Sequence, residues 1–414
     1  MKHLGRLSMI AVAVVAALAA NSASARTTFG GIIYLDSYGI SKNSANNSGG
    51  VMLGHLAQAD SFSAGRIELP NITRLRASWS NEDDVTMFIE LGIGGSSGST
   101  NVNTRQAFGT YRITDRWQIL AGQTTSPFSP LFPNQLLGNN APASASRSVA
   151  GIGGSHNTGK GYGDFDGGRN PQLRFTYLLP SNNGALAVAL LDPNQGTGLD
   201  LPGDFVVKPQ RDSFIPRIDV GAALVFSNYR LFPGFTYQRQ SYNAVSSGSE
   251  DDVTSWAGSL GLQTAVGAFE FSGEFNIGEN WRNSSFSLGN SIAANRSGAS
   301  VRVDNALATI ENSKNMSYWV DTGWRMTTKN TSSVLHFVYG KMESRLRENN
   351  SLGRVEYEST MIGLSWPIDL PWTARGLTVR PEVFLYDEGD STNNFGKVDF
   401  GREILAGVQL QYTF

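Results

Sequence analysis

The sequence contains no cysteine, which excludes a disulfide framework and any metal site built on thiolates. It also has little net charge, with 33 Lys and Arg against 35 Asp and Glu. A nucleic-acid-binding protein would carry a basic domain or stripe, so nucleic acid is not expected as a partner. Charged residues make up only 16% of the chain, whereas Gly contributes 46 residues. That balance is unusual for a soluble domain.

Only one long apolar run is present, and it lies near the N-terminus. Lys2 and Arg6 precede 12 apolar residues from Met9 to Ala20, and Ala23-Ser24-Ala25 follows with small side chains. This order is typical of a secretory signal peptide. A membrane-spanning helix would need roughly 20 apolar residues. The sequence therefore predicts a signal peptide over residues 1–25, cleaved after Ala25, and its removal would lower the formal charge from −2 to −4.

After residue 25 no segment approaches the length of apolar run that a helical membrane span requires. A chain can still cross a bilayer as a closed β-barrel, whose strands carry their lipid face on every second residue. That alternation is clearest over 268–278, where apolar and polar side chains take turns. The apolar positions are Phe269, Phe271, Phe275 and Ile277, and the polar ones are Glu270, Ser272, Glu274 and Asn276.

The same alternation recurs along the whole chain and predicts about 16 strands. Their expected spans are 27–39, 71–80, 84–94, 104–113, 116–123, 171–179, 184–191, 216–226, 229–240, 253–265, 268–278, 315–327, 332–341, 355–366, 376–387 and 403–414. Pro233 and Pro381 fall inside two of these spans, which requires either a bulge or different bounds, because proline lacks the N–H of a ladder bond.

The connections between the expected strands alternate between short turns and long polar loops, the asymmetry of an outer-membrane barrel. A soluble β-sandwich would neither sort its loops in this way nor expose its large apolar residues. We therefore predict an all-β fold, a transmembrane antiparallel up-and-down β-barrel over residues 26–414, with outer-membrane lipid around it. One loop segment, 304–312, is expected to form a short helix.

Several segments resemble the general porins of Gram-negative bacteria in their order and spacing. They are Thr73–Asp83 (TRLRASWSNED), Asn103–Gly109 (NTRQAFG), Ile119–Gln123 (ILAGQ), Arg169–Pro180 (RNPQLRFTYLLP) and the terminal Tyr412-Thr413-Phe414. The resemblance covers residues 70–180 and the C-terminus, and beyond residue 190 only the strand rhythm supports it. It implies a 16-stranded homotrimer in the outer membrane. It also implies that Tyr412 and Phe414 form the signal read by the barrel assembly machinery.

The third loop, residues 124–170, is 47 residues long, and loops beyond about 12–15 residues usually have a function. The resemblance implies that this loop folds into the lumen and narrows it. Its segment Gly163–Gly168 (GDFDGG) is similar to the acidic, aromatic tip of porin third loops, although one acid is shifted and a proline is absent.

Alternation places Arg74 and Arg76 on the strand face opposite to that of Leu75, and Arg174 on the face opposite to that of Leu173. An arginine facing lipid at mid-membrane would cost roughly 2–4 kcal/mol, so these side chains are expected in the lumen. The resemblance implies that Arg74, Arg105 and Arg169 form the basic wall of a constriction, faced by Asp164 and Asp166. Opposed charges of this kind favour polar solutes. The alternative is that the arginines only solvate the lumen or pair with acids that hold the loop.

No motif indicates an enzyme, a cofactor or a metal. Residues 154–161 (GSHNTGKG) approach a phosphate-binding loop but lack its final Ser or Thr, and the histidines after residue 25 are not at metal-ligand spacing. The sequence favours a passive, water-filled pore for small hydrophilic solutes and ions. A substrate-specific channel, with Phe88, Trp319 and Phe384 as candidate lumen aromatics, and a plugged barrel acting as an adhesin or structural protein remain alternatives.

Overall fold

The computed structural model describes most of the chain after residue 25, with gaps. The described residues are 26–42, 62–81, 84–96, 99–134, 160–165, 167–192, 210–212, 215–243, 250–284, 286, 288, 291–304, 307–328, 331–347, 354–371, 376–393 and 396–414. The predicted signal peptide over 1–25 lies outside them and stays a prediction.

Sixteen antiparallel strands close into a barrel, as the alternation predicted. They are β1 Arg26–Lys42, β2 Phe62–Ser80, β3 Val85–Ser96, β4 Ser99–Arg112, β5 Trp117–Thr125, β6 Arg169–Leu178, β7 Gly184–Leu191, β8 Arg217–Val225, β9 Tyr229–Asn243, β10 Glu250–Val266, β11 Phe269–Glu279, β12 Lys314–Thr327, β13 Ser332–Arg347, β14 Arg354–Ser365, β15 Leu377–Asp387 and β16 Arg402–Thr413. Each strand pairs with its neighbours in the sequence, and β1 also pairs with β16, which closes the cylinder.

The outer face of the barrel is apolar, as expected for a surface that faces lipid, and the alternation in β11 shows this directly. Phe269 is 65% exposed and Phe275 and Ile277 are also exposed, whereas Glu274 and Asn276 are buried inside. Aromatic side chains gather at the rim of the short turns, where such residues mark the membrane interface. They include Trp117, Tyr177, Phe226, Tyr229 and Trp324.

Both prolines lie inside their strands, and each occupies a gap in one hydrogen-bond ladder. The β8–β9 ladder skips Phe232 and Pro233 without a change of register, while β9–β10 continues through them. Pro381 lies where β15 stops pairing with β14 and begins to pair with the short strand Ile368–Asp369. The missing N–H of each proline is thus accommodated without a bulge.

Two expectations from the sequence were wrong. The connection between β3 and β4 is not a long loop, because the strands pair up to Ser96 and Ser99 and only residues 97–98 lie between them. The segment 304–312 does not form a helix, since Ser300–Asp304 and Leu307–Glu311 form a β-hairpin. Several strands also extend beyond their expected ends at the rim of the long loops, which we call the loop rim.

In the part of the chain that the structure describes, segments of two loops at that rim turn into the barrel. The third loop (126–168) and the sixth loop (280–313, between β11 and β12) pack apolar side chains against the inner wall. A single turn of helix, α1 (Ile292–Asn295), lies in the sixth loop. Among the described residues no helix is long and apolar enough to span a bilayer.

Candidate pore constriction

Three of the arginines predicted for the pore wall converge on one carboxylate. Glu90, on the lumen face of β3, has no exposed surface. Its Oε2 lies 2.7 Å from Arg76 Nε and 3.5 Å from Arg74 Nη1, and its Oε1 lies 2.9 Å from Arg105 Nε. Arg76 sits directly opposite Glu90 across the β2–β3 ladder. The cluster carries more positive than negative charge, and Arg76 presents most of it, with its side chain 38% exposed against 5% for Arg105.

The other two predicted arginines lie further round the same wall. Arg169 is the first residue of β6, and it is close enough to Arg105 for the two charges to interact. Arg174 lies on the lumen face of β6, where its Nη2 donates to the carbonyl of Thr125 and its Nε donates to Gln172 Oε1 at 3.0 Å. Arg174 therefore contacts the last residue of β5, directly before the third loop begins.

The outgoing leg of the third loop, residues 126–134, runs along the inner wall over a track of glycines. A Cβ on Gly221 would lie 2.0 Å from the carbonyl oxygen of Pro127. A Cβ on Gly234 would lie 3.0 Å from the Phe128 ring, and one on Gly261 would lie 2.8 Å from Leu131. These glycines on β8, β9 and β10 leave the space in which the loop backbone approaches the wall.

A buried ion pair fixes the base of the third loop. Arg217 and Asp219 on β8 are both fully buried, and Arg217 Nη2 lies 2.6 Å from Asp219 Oδ2. Asp219 accepts a hydrogen bond from the hydroxyl of Ser126, and Arg217 donates to the carbonyl of Gly167 at 2.8 Å. The pair thus holds both ends of the loop to one strand.

At its far end the outgoing leg reaches the opposite wall. The N–H of Asn134 donates to Asp321 Oδ2 on β12 at 2.8 Å, and Arg380 on β15 donates to Asn134 Oδ1 at 2.9 Å. Asp321 also lies 2.8 Å from Nδ1 of His336. The leg therefore spans the inner wall from β5 to β15, as a loop that narrows a lumen must.

The return leg, residues 160–168, contains both predicted acids in its sequence, but Asp166 lies outside the described residues. Asp164 is buried, and the preceding Gly163 packs on the backbone of Tyr318 and Lys341. The predicted role of Asp164, opposite the arginines, stays a prediction. Glu90 is an acid that does contact the arginines. The alternation of Met87, Ile89 and Leu91 with Phe88, Glu90 and Gly92 in the sequence predicts that Glu90 faces the lumen. Only the strand register shows that it meets Arg76.

The return leg is also tied to the barrel through Tyr162. Its hydroxyl donates to Glu388, and its ring lies 4.9 Å from that of Tyr386. Burial, together with the nearby charge of Glu388, raises the pKa of Tyr162 well above its usual value. The hydroxyl therefore stays protonated and keeps its role as a donor.

The two residues of the predicted assembly signal close the barrel. Phe414 exchanges backbone hydrogen bonds with Gly31 of β1, at 3.1 and 3.2 Å. The rings of Tyr412 and Phe414 stack 6.3 Å apart, and both side chains are exposed on the outer face.

No protein-family model matches the chain, and no curated protein matches it in sequence. Its fold is nevertheless shared with solved structures. The outer membrane channel DcaP of Acinetobacter baumannii superposes with a TM-score of 0.62 at 17% identity, over 95% of this chain and 99% of that one. OmpF of Salmonella typhi, solved in complex with daunomycin, superposes with a TM-score of 0.50 at 10% identity, over 94% and 97%. The chain has the 16-stranded barrel fold of the Gram-negative outer-membrane porins.

Proposed function

We propose that this barrel is a porin-type channel for the passive diffusion of small hydrophilic solutes and ions. The observation that carries the proposal is the arginine cluster around Glu90. It places surplus positive charge on the lumen face of β2–β4. Such charge is stable only if the lumen is polar and hydrated.

The third loop supports the same proposal from the other side of the lumen. Its outgoing leg is held along the wall from Asp219 to Asp321, so it narrows the lumen opposite the arginines. A narrow aqueous gap lined by fixed charge selects solutes by size and polarity without a dedicated binding site. We propose that Arg74, Arg76, Arg105 and Arg169 form the basic side of this gap.

The experiment is the reversal potential of single channels in planar bilayers under a salt gradient. Replacing Arg76 or Arg105 with Gln removes a fixed positive charge from the gap, so the cation-to-anion permeability ratio should rise. The more exposed Arg76 should give the larger change. Arg345→Gln is the matched control, because Arg345 lies on the outer face beside Glu356. An unchanged reversal potential in both lumen variants would remove these residues from the gap.

A substrate-specific channel is less well supported. Two of the candidate lumen aromatics, Trp319 and Phe384, face inward but are fully buried, so their rings offer no surface to a passing solute. Phe88 packs against Phe108, with ring centroids 5.4 Å apart. One observation supports the alternative of a plugged barrel, because two loops fold into the lumen. A conductance measurement distinguishes a plugged barrel from an open channel.

We also propose that the barrel assembles as a homotrimer. The outer face of β1, β2 and β16 carries a shallow groove of small residues, which allow close approach of a second surface, as they do between membrane helices. These residues are Gly39, Ser41, Ser63, Gly65 and Ala406. The mass of the detergent-solubilised protein tests this proposal, and a monomer mass at all concentrations would contradict it.

The barrel assembly machinery is the proposed partner during insertion. The exposed rings of Tyr412 and Phe414 stand at the end of the strand that closes the barrel. Deleting Phe414 should lower the amount of folded protein in the membrane, measured by its heat-modifiable migration. Refolding of the same variant into detergent should be affected much less.

A further inference from the structure

We propose that the sixth loop, residues 280–313, is a second inserted element that closes the β13–β14 side of the lumen. The solute path then runs along the β2–β6 side. The inference rests on the proposed channel function, and it assigns a second element to the determination of pore width, beside the third loop.

The first observation is the apolar face that the sixth loop turns to the inner wall. Trp281 has no exposed surface, and Ile292, Ala293 and Ala294 of α1 are buried. They belong to one apolar cluster with Met342 of β13 and with Val355 and Tyr357 of β14, all on the lumen face. A loop that rested on the rim in water would leave these side chains exposed.

The polar groups of α1 are satisfied by the barrel wall. The N–H of Ile292 donates to Glu388 Oε2 at 2.7 Å, and the N–H of Ala293 donates to the hydroxyl of Ser359 at 3.2 Å. The hydroxyl of Ser344 donates to the carbonyl of Arg296 at 2.6 Å. Hydrogen bonds at both ends of the single turn fix it against β13 and β14.

The sixth loop also packs directly on the third loop. The rings of Phe165 and Trp281 meet edge to face with centroids 4.5 Å apart, and Phe286 lies 4.7 Å from Phe165. The hydroxyl of Ser291 donates to the carbonyl of Gly161 at 2.5 Å. Aromatic pairs of this kind stabilise packing beyond the effect of the area that they bury. The two loops therefore form one packed body.

The solvent exposure of inward-facing side chains differs between the two sides of the lumen. This difference is expected if the packed third and sixth loops cover one side. On β13 and β14 the inward side chains Ser344 and Ser359 have no exposed surface. On the opposite side, Arg76 is half-buried and Asn103 is exposed. Asn103 pairs with Gly92, two residues from Glu90 on the lumen face of β3. Water therefore reaches the wall beside the arginines and not the wall beneath the sixth loop.

The absence of cysteine makes this inference directly testable, because any thiol introduced would be the only one. Asn103→Cys and Ser344→Cys lie at similar depths, near the loop-rim ends of β4 and β13. The folded proteins in detergent would be treated with a charged, water-soluble methanethiosulfonate, and the mass shift would be followed with time. Ser359→Cys serves as a second position beneath the loop.

We expect Asn103→Cys to react quickly and the two covered positions to react about a hundredfold more slowly, because the reagent must wait for local opening of a packed loop. Adding Trp281→Ala to Ser344→Cys should restore fast modification. Equal rates at Asn103→Cys and Ser344→Cys would overturn the inference. The mass shift is measured without any conductance. A wild-type barrel that failed to conduct would therefore refute the channel function, whereas the modification rates would still test the position of the sixth loop.

Discussion

Glu90 shows how a single residue controls the charge of the candidate pore. Its carboxylate is fully buried among Arg74, Arg76 and Arg105, so it neutralises part of their charge and holds their side chains in one orientation. Hydrogen bonds between charged groups are shorter and stronger than neutral ones, which orders the long arginine side chains. In the proposed channel, the selectivity of the gap would therefore depend on this acid as much as on the arginines.

Glu90→Gln should make the channel more anion-selective, because it removes the negative charge and leaves the three arginines. The measurement is the reversal potential in a salt gradient, in which the change should be opposite in sign to that of Arg76→Gln. Glu356→Gln is the control, since Glu356 is exposed on the outer face. A shift of Glu90→Gln toward cations would contradict the assignment of this cluster to the conducting path.

At the scale of the element, the two faces of each strand have different requirements. Leu260 of β10 is 55% exposed on the lipid side, whereas Gln263, three residues later, belongs to the lumen face. Leu260→Arg should lower the free energy of unfolding by roughly 2–4 kcal/mol, measured by urea titration in lipid vesicles. Gln263→Arg should cost much less. Equal losses would mean that these faces are wrongly assigned.

The third loop depends on the glycines beneath it. Gly221→Ala would bring a methyl group against the carbonyl of Pro127, which is backbone and cannot move aside cheaply. Overpacking of this kind typically costs about 1–3 kcal/mol and should displace the outgoing leg. We expect an altered single-channel conductance. Gly258→Ala is the control, since an added Cβ there meets nothing within 4 Å, and equal conductance in both variants would contradict the close packing.

The strands could be predicted from the sequence because lipid and lumen impose opposite preferences on alternate residues. The structure has the 16 barrel strands that this pattern predicted, and several of them are longer than the expected spans. The β3–β4 connection was mistaken for a loop because Ser96, Ser99 and their neighbours lack the apolar alternation beyond the lipid layer, although the backbone pairing continues there.

The interior could be predicted only in part. Alternation put Arg74, Arg76 and Glu90 on the lumen face, but their contacts follow from the register between strands, which one sequence does not specify. The insertion of the sixth loop was missed because Trp281, Phe286 and Ile292 have no periodic spacing. Their burial arises from tertiary contacts with β13, β14 and the third loop.

At the scale of the whole molecule, the barrel wall is closed, and the described residues fill the lumen asymmetrically. Packed loops lie on the β8–β15 side, and charged, partly exposed side chains lie on the β2–β6 side. Through a channel of this shape, the rate of solute diffusion should depend on solute size, and no binding site should saturate. A barrel in which the loops close both sides would pass none.

Liposome swelling in sugars of graded size measures that property most directly. For liposomes that contain the purified protein, we expect the swelling rate to fall steadily as the sugar becomes larger. At a fixed size, the rate should rise in proportion to sugar concentration without reaching a plateau. Swelling no faster than that of protein-free liposomes, for every sugar, would contradict a water-filled pore.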